Sequence, residues 1–321
     1  MKRIGKAAIC VILAVVLLLG IKNEYARLLP ASTYGMQAAI RQERIDHLFI
    51  GSSMFRQGLS IDVLEEELDG STYILSYNGN QPAFMARELE YMLEEGLEIG
   101  HLYMDLYPYT AAAIPWISDT KILLDTDLSF KIEAWRLMAA HNDVKLSDFY
   151  ELFVTANNEQ LLTYPLHNRL VSSQFRNGGN LLKPEGRSKE YLDSLGMLGG
   201  RDGLQTAQLR GYEKIKELAE EYDIRLYFLE TPKYKRMYED ADYLELYDGC
   251  LKELEALGMQ RMFSGEDSEK QNSGVGVILL SETLGFATSN PNYFQDLIHL
   301  SAEGRNVYTE LLCETLKEAT P

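Results

Sequence analysis

The sequence predicts an α/β fold, a three-layer sandwich with a mainly parallel sheet, that carries a helical insertion and an N-terminal transmembrane helix. Short β-branched or aromatic runs alternate with amphipathic helical stretches before residue 110 and again after residue 200. Such alternation is typical of a parallel sheet covered on both faces by helices. The chain has 321 residues, of which 46% are hydrophobic and 25% are charged, so it can bury a full core.

The N-terminus carries the pattern of a membrane segment. Basic residues precede an apolar run at residues 7–21, and Leu28, Leu29 and flanking lysines can extend this run across a bilayer. No small-x-small cleavage site follows, which favours an uncleaved signal anchor at residues 1–29 over a removed signal peptide. The basic residues predict a cytoplasmic N-terminus, so residues 30–321 form an extracytoplasmic domain of a single-pass protein of the cell membrane. A buried core helix is the alternative interpretation.

The strands and helices of the domain follow in order along the chain. The first strand candidate is a β-branched and aromatic run that stops at Gly51. Ser60 can cap the next helix, and Pro82 stands where a later helix begins. The predicted strands are 45–50, 72–76, 101–106, 224–230 and 260–263, and the predicted helices are 60–68, 82–95, 204–222, 238–257 and 301–316.

Residues 110 to 200 interrupt this alternation. Amphipathic helical stretches at 131–138 and 146–153 are followed by a polar segment at 172–180, which we predict to be a loop. A connection of this length is not a simple loop by the usual length statistics. We therefore expect an insertion that covers one edge of the sheet and is a candidate cover for a substrate cleft. A second polar segment, at 265–274, predicts an exposed loop.

Charge and cysteine usage exclude several classes of function. The chain has 31 basic and 48 acidic residues, a net charge of −17, and no basic stripe, so we expect no nucleic-acid partner. Cys10 lies in the membrane run, and Cys250 and Cys313 either pair or stay as buried thiols. We expect no metal and no other cofactor, because the remaining histidines lack the spacing of metal ligands. These expected structural histidines are His47, His101, His141 and His167.

The first candidate for chemistry is Gly51-Ser52-Ser53, directly after the first predicted strand. Open α/β sheets bind ligands at the carboxyl ends of their strands, so a serine here can point into a crevice. Backbone N–H groups of the following turn can then surround its oxygen. A plain strand-to-helix turn is the alternative, because glycine and serine are common in turns.

The second candidate is the pair Asp296 and His299, three residues apart. On a helical turn this spacing places both side chains on one face. The carboxylate can then hold one imidazole nitrogen while the other nitrogen faces a nucleophile, as general-base activation of a serine requires. A capping aspartate with a surface histidine is the alternative interpretation.

Taken together, the two segments resemble the SGNH hydrolase superfamily, also called GDSL hydrolases. The resemblance is carried by the residues at 49–53 and at 293–300, and it covers about residues 45–110 and 224–318. It implies an SGNH hydrolase-like, flavodoxin-like sheet and a catalytic set of Ser53, His299 and Asp296. The Gly-Ser-Ser form resembles the membrane-anchored branch that includes the D-alanyl-lipoteichoic acid biosynthesis protein and alginate O-acetylation proteins. Ser52 remains the competing assignment for the nucleophile.

The resemblance also implies an oxyanion hole, built from the N–H of the serine, a glycine N–H and an asparagine side chain. Gly79 matches the glycine, but the third block, Tyr103 to Pro108, has no asparagine. Asn78 or Asn80 can take that role, or the hole has fewer donors, or Asn78-Gly79 is only a tight turn. The candidate oxyanion-hole residues are thus Ser53, Gly79, Asn78 and Asn80.

These expectations lead to two functional hypotheses. The first is an extracytoplasmic serine esterase or O-acyltransferase that acts on an acylated cell-surface glycan or teichoic acid, with a membrane O-acyltransferase as a candidate partner. The second, favoured by the missing asparagine, is a non-catalytic SGNH-like domain that binds a glycan or serves as a scaffold for a membrane O-acyltransferase.

Overall fold

The computed structural model describes residues 34–124, 126–159, 163, 173–199, 202–262 and 276–319, together with 6, 10, 13, 14, 16–18 and 20–22. The strands are β1 (Arg44–Gly51), β2 (Thr72–Ser76), β3 (Glu98–Asp105), β4 (Phe175–Arg176), β5 (Gly179–Asn180), β6 (Arg225–Leu229), β7 (Gln260–Arg261) and β8 (Val277–Leu279).

Helices occupy most of the chain between these strands. The α-helices are α1 (Met36–Ile40), α2 (Ser53–Gly58), α3 (Ile61–Glu67), α4 (Pro82–Glu94), α5 (Pro108–Ala111), α6 (Leu128–His141), α7 (Leu146–Phe149), α8 (Lys189–Ser194), α9 (Thr206–Glu221), α10 (Ala241–Ala256) and α11 (Ala302–Ala319). Short 3-10 turns lie at Thr120–Leu123, Lys235–Glu239 and Pro291–Tyr293, and a π-helical turn lies at Tyr150–Thr155.

Six of the described strands form one sheet in the order β2-β1-β3-β6-β8-β7. Every neighbouring pair in it is parallel. Side chains alternate across the sheet, as the geometry of a strand requires. In β1, Leu48 and Ile50 pack into one buried cluster with α4 and α9, whereas Phe49 packs into a second cluster with α2, α3 and α11. The predicted α/β three-layer sandwich with a parallel sheet is therefore confirmed.

Several elements differ from the sequence prediction. The third strand begins at Glu98 rather than at residue 101, and β8 was not predicted, because a three-residue strand carries almost no pattern of its own. The polar segment 172–180, predicted as a loop, contains the antiparallel hairpin β4–β5. Asn177 accepts a hydrogen bond from the N–H of Ile74 at 2.9 Å, so this hairpin covers the outer edge of β2.

Parts of the prediction lie outside the described residues. Much of the segment 1–29 does, as do the predicted loop at 265–274 and His167. No helix within the described residues is long and apolar enough to span a bilayer. Lys22 donates hydrogen bonds to the carbonyl oxygens of Phe153, Val154 and Ala156.

Cys250 and Cys313 are buried free thiols. Burial raises the pKa of each thiol to about 12. Neither is in the state that reacts readily, because the thiolate is the nucleophilic form.

His47 on β1 and His101 on β3 stack against each other, with ring centroids 4.8 Å apart. Nδ1 of His47 lies 3.0 Å from the hydroxyl of Tyr103, and Nδ1 of His101 lies 3.2 Å from the carbonyl oxygen of Asp46. Burial lowers the pKa of both imidazoles. Both rings are thus held by internal partners.

Candidate active site

The Gly51-Ser52-Ser53 segment lies at the carboxyl end of β1. The next two strands of the chain, β2 and β3, lie on opposite sides of β1, so the direction in which strands are added to the sheet reverses here. In open parallel sheets, this switch point is where ligands bind. Ser52 is the N-cap of α2, and Ser53 is the first residue of that helix. Gly51 has no room for a side chain, because an added Cβ would lie 2.6 Å from a ring carbon of Phe55.

Ser53, His299 and Asp296 form one chain of hydrogen bonds. Oγ of Ser53 lies 2.9 Å from Nε2 of His299, and Nδ1 of His299 lies 2.8 Å from Oδ2 of Asp296. With the imidazole proton on Nδ1, the ring donates to the carboxylate and accepts from the serine hydroxyl. This arrangement can remove the serine proton during nucleophilic attack.

The segment that carries Asp296 and His299 is a turn closed by a side chain rather than the helical turn we expected. Residues 295–298 bend without helical structure. Oδ1 of Asp296 accepts hydrogen bonds from the N–H groups of Ile298 and His299, each at 2.8 Å. An aspartate side chain often accepts hydrogen bonds from main-chain N–H groups two or three residues later, and such bonds compete with those of a helix. The carboxylate therefore orients the histidine through both backbone and ring.

The Asp296 carboxyl group is held in its ionised form. Burial alone would raise its pKa, but the hydrogen bond from His299 and those from the two backbone N–H groups outweigh burial, so the pKa is lowered. An ionised carboxylate is the state that stabilises a positively charged imidazole.

Ser52, the competing candidate, points elsewhere. Its side chain is buried, and its Oγ donates to Oδ2 of Asp105 at 2.5 Å while accepting from the N–H of Met54 at 3.2 Å. Of the two serines, it is Ser53 that lies beside His299. Asp105 binds Ser52 from the end of β3.

The two candidate asparagines of the oxyanion hole differ in which of their side-chain atoms is engaged. The side-chain oxygen Oδ1 of Asn78 accepts from Arg56 at 2.9 Å, and the main-chain N–H of Asn78 donates to Asp119 at 3.1 Å, so neither bond uses the side-chain donor Nδ2. Nδ2 of Asn80 donates to the buried Glu88 at 3.0 Å. Gly79 occupies a turn with φ of 62°. The N–H of Ser53 belongs to the first turn of α2, where helix geometry leaves N–H groups without an intrahelical partner.

Two buried, positively charged side chains, those of Arg56 and Lys233, were not identified from the sequence. Arg56 follows Ser53 by one helical turn, and it donates to Tyr34 and to the carbonyl oxygen of Ser76 as well as to Asn78. Lys233 is fully buried and lies 5.4 Å from the ring centre of Tyr107. The sequence does place each of these charged residues soon after the end of a strand, but this position does not predict burial, because lysine and arginine are usually solvated.

No group of three or more histidine, cysteine or acidic side chains among the described residues is arranged to hold a metal ion.

A comparison with protein-family models gives no match, and a comparison with curated proteins gives none either. Among solved structures, the chain is similar to a protein of Streptococcus pneumonia provisionally described as a platelet activating factor. The identity is 14%, the TM-score is 0.40, and the match covers 96% of this chain and 99% of that one. It is also similar to a provisionally described acylhydrolase of Bacteroides fragilis NCTC 9343, with 10% identity, a TM-score of 0.35 and coverage of 92% and 94%. At these TM-scores, neither similarity indicates the function of this chain.

Proposed function

We propose that this chain is a serine esterase or O-acyltransferase of the SGNH type, with Ser53 as nucleophile, His299 as general base and acid, and Asp296 as the residue that orients His299. The observation that carries the proposal is the hydrogen-bonded chain from Ser53 through His299 to Asp296. These three side chains come from two segments 246 residues apart and meet at the ligand-binding end of a parallel sheet.

The proposed reaction has two halves. Oγ of Ser53 attacks the carbonyl carbon of an acyl ester, and Nε2 of His299 takes the hydroxyl proton. The ester C–O bond then breaks, and His299 gives the proton to the departing alcohol. In the second half, water or an acceptor hydroxyl attacks the acyl-enzyme, His299 takes its proton, and Ser53 leaves with a proton returned by His299. Asp296 balances the charge of the imidazolium in both halves.

The negative oxygen of each tetrahedral intermediate needs hydrogen-bond donors. The N–H of Ser53 is the best-supported donor, because it lies at the start of α2 where the helix dipole also favours negative charge. Gly79 is the second proposed donor. Asn80 is a weaker candidate, since its Nδ2 already donates to Glu88, whereas the bonds made by Asn78 leave its Nδ2 as a third candidate donor.

The proposed substrate is an acylated cell-envelope glycan or teichoic acid outside the cytoplasm. The support is the basic and apolar pattern at the N-terminus together with the resemblance of the Gly-Ser-Ser segment to the membrane-anchored branch. In this proposal the protein is anchored to the membrane by its N-terminal segment, and a membrane O-acyltransferase is a candidate partner.

One observation favours a second function, that of a non-catalytic glycan-binding or scaffold domain that partners a membrane O-acyltransferase. The side-chain donor of Asn80 is used by Glu88 and the third block has no asparagine, so an oxyanion hole with at most one asparagine donor, from Asn78, would be weak. Losing one donor typically slows such reactions by about 10²–10³-fold.

Covalent labelling separates the two functions. The full-length protein in detergent is treated with a fluorophosphonate probe, and the adduct is located by mass spectrometry. We expect an adduct on Ser53 that is lost in Ser53→Ala and in His299→Ala, while Ser52→Ala still forms the adduct on Ser53, at a lower rate. Absence of labelling in folded protein, or labelling that persists in Ser53→Ala, would reject the enzymatic proposal.

A further inference from the structure

Asp105 is a fully buried carboxylate directly behind the candidate nucleophile. It is the last residue of β3, and its Oδ2 accepts two hydrogen bonds from Ser52, from the N–H at 3.1 Å and from Oγ at 2.5 Å. The two bonds fix both the backbone and the side chain of Ser52. The residue after Ser52 is Ser53, so the constraint acts on the turn that carries the nucleophile.

The contact continues into α2. Because the Ser52 hydroxyl donates its hydrogen bond to Asp105, its lone pairs can accept from the N–H of Met54, and Ser52 becomes the N-cap of the helix. Gly51 allows the close approach, because an added Cβ there would lie 2.9 Å from Cβ of Asp105. The ends of β1 and β3 and the start of α2 are thereby joined through one carboxylate.

A carboxylate at this position is a poor choice for stability alone. Burial raises the pKa of Asp105, while hydrogen bonds from Ser52 and the positive charge of Lys233 oppose that rise. Its second oxygen, Oδ1, is buried and has no hydrogen-bond partner among the described residues. An apolar side chain at a strand end would avoid this desolvation cost, which for buried charges often exceeds the gain from their partners.

We propose that Asp105 is a positioning residue for acyl transfer, acting through Ser52 to hold the Ser53 hydroxyl at hydrogen-bonding distance from His299. The proposal rests on the proposed function of Ser53. Asp105 does not contact the substrate in this role; it restricts the nucleophile to the geometry from which its proton can be transferred. Such restriction affects the chemical step rather than the binding of substrate.

The test is a double-mutant cycle with Asp105→Ala, Ser52→Ala and the double variant in the full-length protein. Readouts are kcat and KM for p-nitrophenyl acetate and the rate of fluorophosphonate labelling on Ser53. We expect each single variant to lower kcat and the labelling rate by roughly 10- to 100-fold, the effect of losing a hydrogen bond to a charged group. We expect KM to change by less than about threefold and the double variant to be no slower than the slower single variant, because both changes break the same contact.

A stability control removes the simplest other explanation. Leu254→Ala empties a core position in α10, in the buried cluster on the opposite face of the sheet, and is expected to lower stability without slowing labelling. If Asp105→Ala does not fold, Ser52→Ala alone still tests the contact.

The outcomes distinguish the two proposals. Parental kcat in Ser52→Ala, or additive losses in the double variant, would overturn the positioning role while leaving Ser53-dependent turnover in place. Absence of Ser53-dependent turnover in the parental protein would overturn the proposed function, and the role of Asp105 with it.

Discussion

Replacing Asp296 with asparagine changes one hydrogen bond of the site and preserves the others. The amide oxygen can still accept from the N–H groups of Ile298 and His299, which Oδ1 of the carboxylate holds at 2.8 Å. The amide nitrogen, however, is a donor, and it takes the place of Oδ2 at 2.8 Å from Nδ1 of His299. Two donors cannot face each other at that distance. The imidazole must therefore carry its proton on Nε2, where it can no longer accept the proton of Ser53.

The expected loss is large in rate and small in stability. A change of tautomer of this kind lowers kcat by about 10⁴-fold, which corresponds to about 5.5 kcal/mol at about 1.4 kcal/mol for each factor of ten. Asparagine closes a turn about as well as aspartate does, so the free energy of unfolding should fall by less than about 1 kcal/mol. Asp296→Ala, which also removes both backbone hydrogen bonds, should cost a further ~0.5–2 kcal/mol of stability.

The assay combines turnover of p-nitrophenyl acetate with urea unfolding followed by circular dichroism. Asp62→Asn is the matched control, because this carboxylate pairs with Arg176 on the surface and has a side chain that is 60% exposed. A value of kcat for Asp296→Asn within about tenfold of the parental value, in protein with parental stability, would refute the reasoning about the tautomer.

Three further results are expected from other parts of the structure. Gly51→Ala should lower the free energy of unfolding by about 1–3 kcal/mol and slow fluorophosphonate labelling, because its Cβ would lie 2.6 Å from the ring of Phe55; parental stability in urea would contradict this. Arg56→Met should lower the free energy of unfolding by about 3–5 kcal/mol in the same assay, because it leaves the carboxylate of Asp119, which lies 3.5 Å from Arg56 and has a side chain only 8% exposed, without a positive partner. A loss below about 1 kcal/mol would show that the pair contributes little to stability. Stability should fall as pH drops below 6.5, because burial lowers the pKa of His47 and His101 and the unfolded chain then binds more protons than the folded one. A variant with both histidines replaced by glutamine should show a smaller fall in the urea midpoint between pH 7 and lower pH, and an unchanged slope would assign the effect to other groups.

Local pattern was sufficient to predict the architecture. The strand at Thr72–Ser76 has the predicted bounds, and α4 begins at Pro82 as expected. Alternation of apolar runs with amphipathic helices depends only on neighbouring residues, so the layers of the sandwich follow from the sequence. The candidate serines after β1 also follow, because the carboxyl end of a strand in a parallel sheet is a place where ligands bind.

Contacts between distant residues decided what the sequence left open. Ser52 and Ser53 are equivalent by pattern, and only the carboxylate of Asp105 on β3 and the imidazole of His299 distinguish them. Asn80 likewise offers a suitable donor in the sequence, but Glu88 engages it in the folded chain.

The sequence by itself therefore determined the order along the chain of five of the six strands in the main sheet, of the helices predicted with them, and a short set of candidate residues, because hydrophobic periodicity and turn chemistry act over a few positions. The tertiary structure decided which serine lies beside the histidine, which polar groups are already engaged, and that a polar segment of the insertion pairs into the hairpin over β2. The physical reason is that the direction of a hydrogen bond depends on neighbours in space. Two of these, Ser53 and His299, are 246 positions apart in the chain.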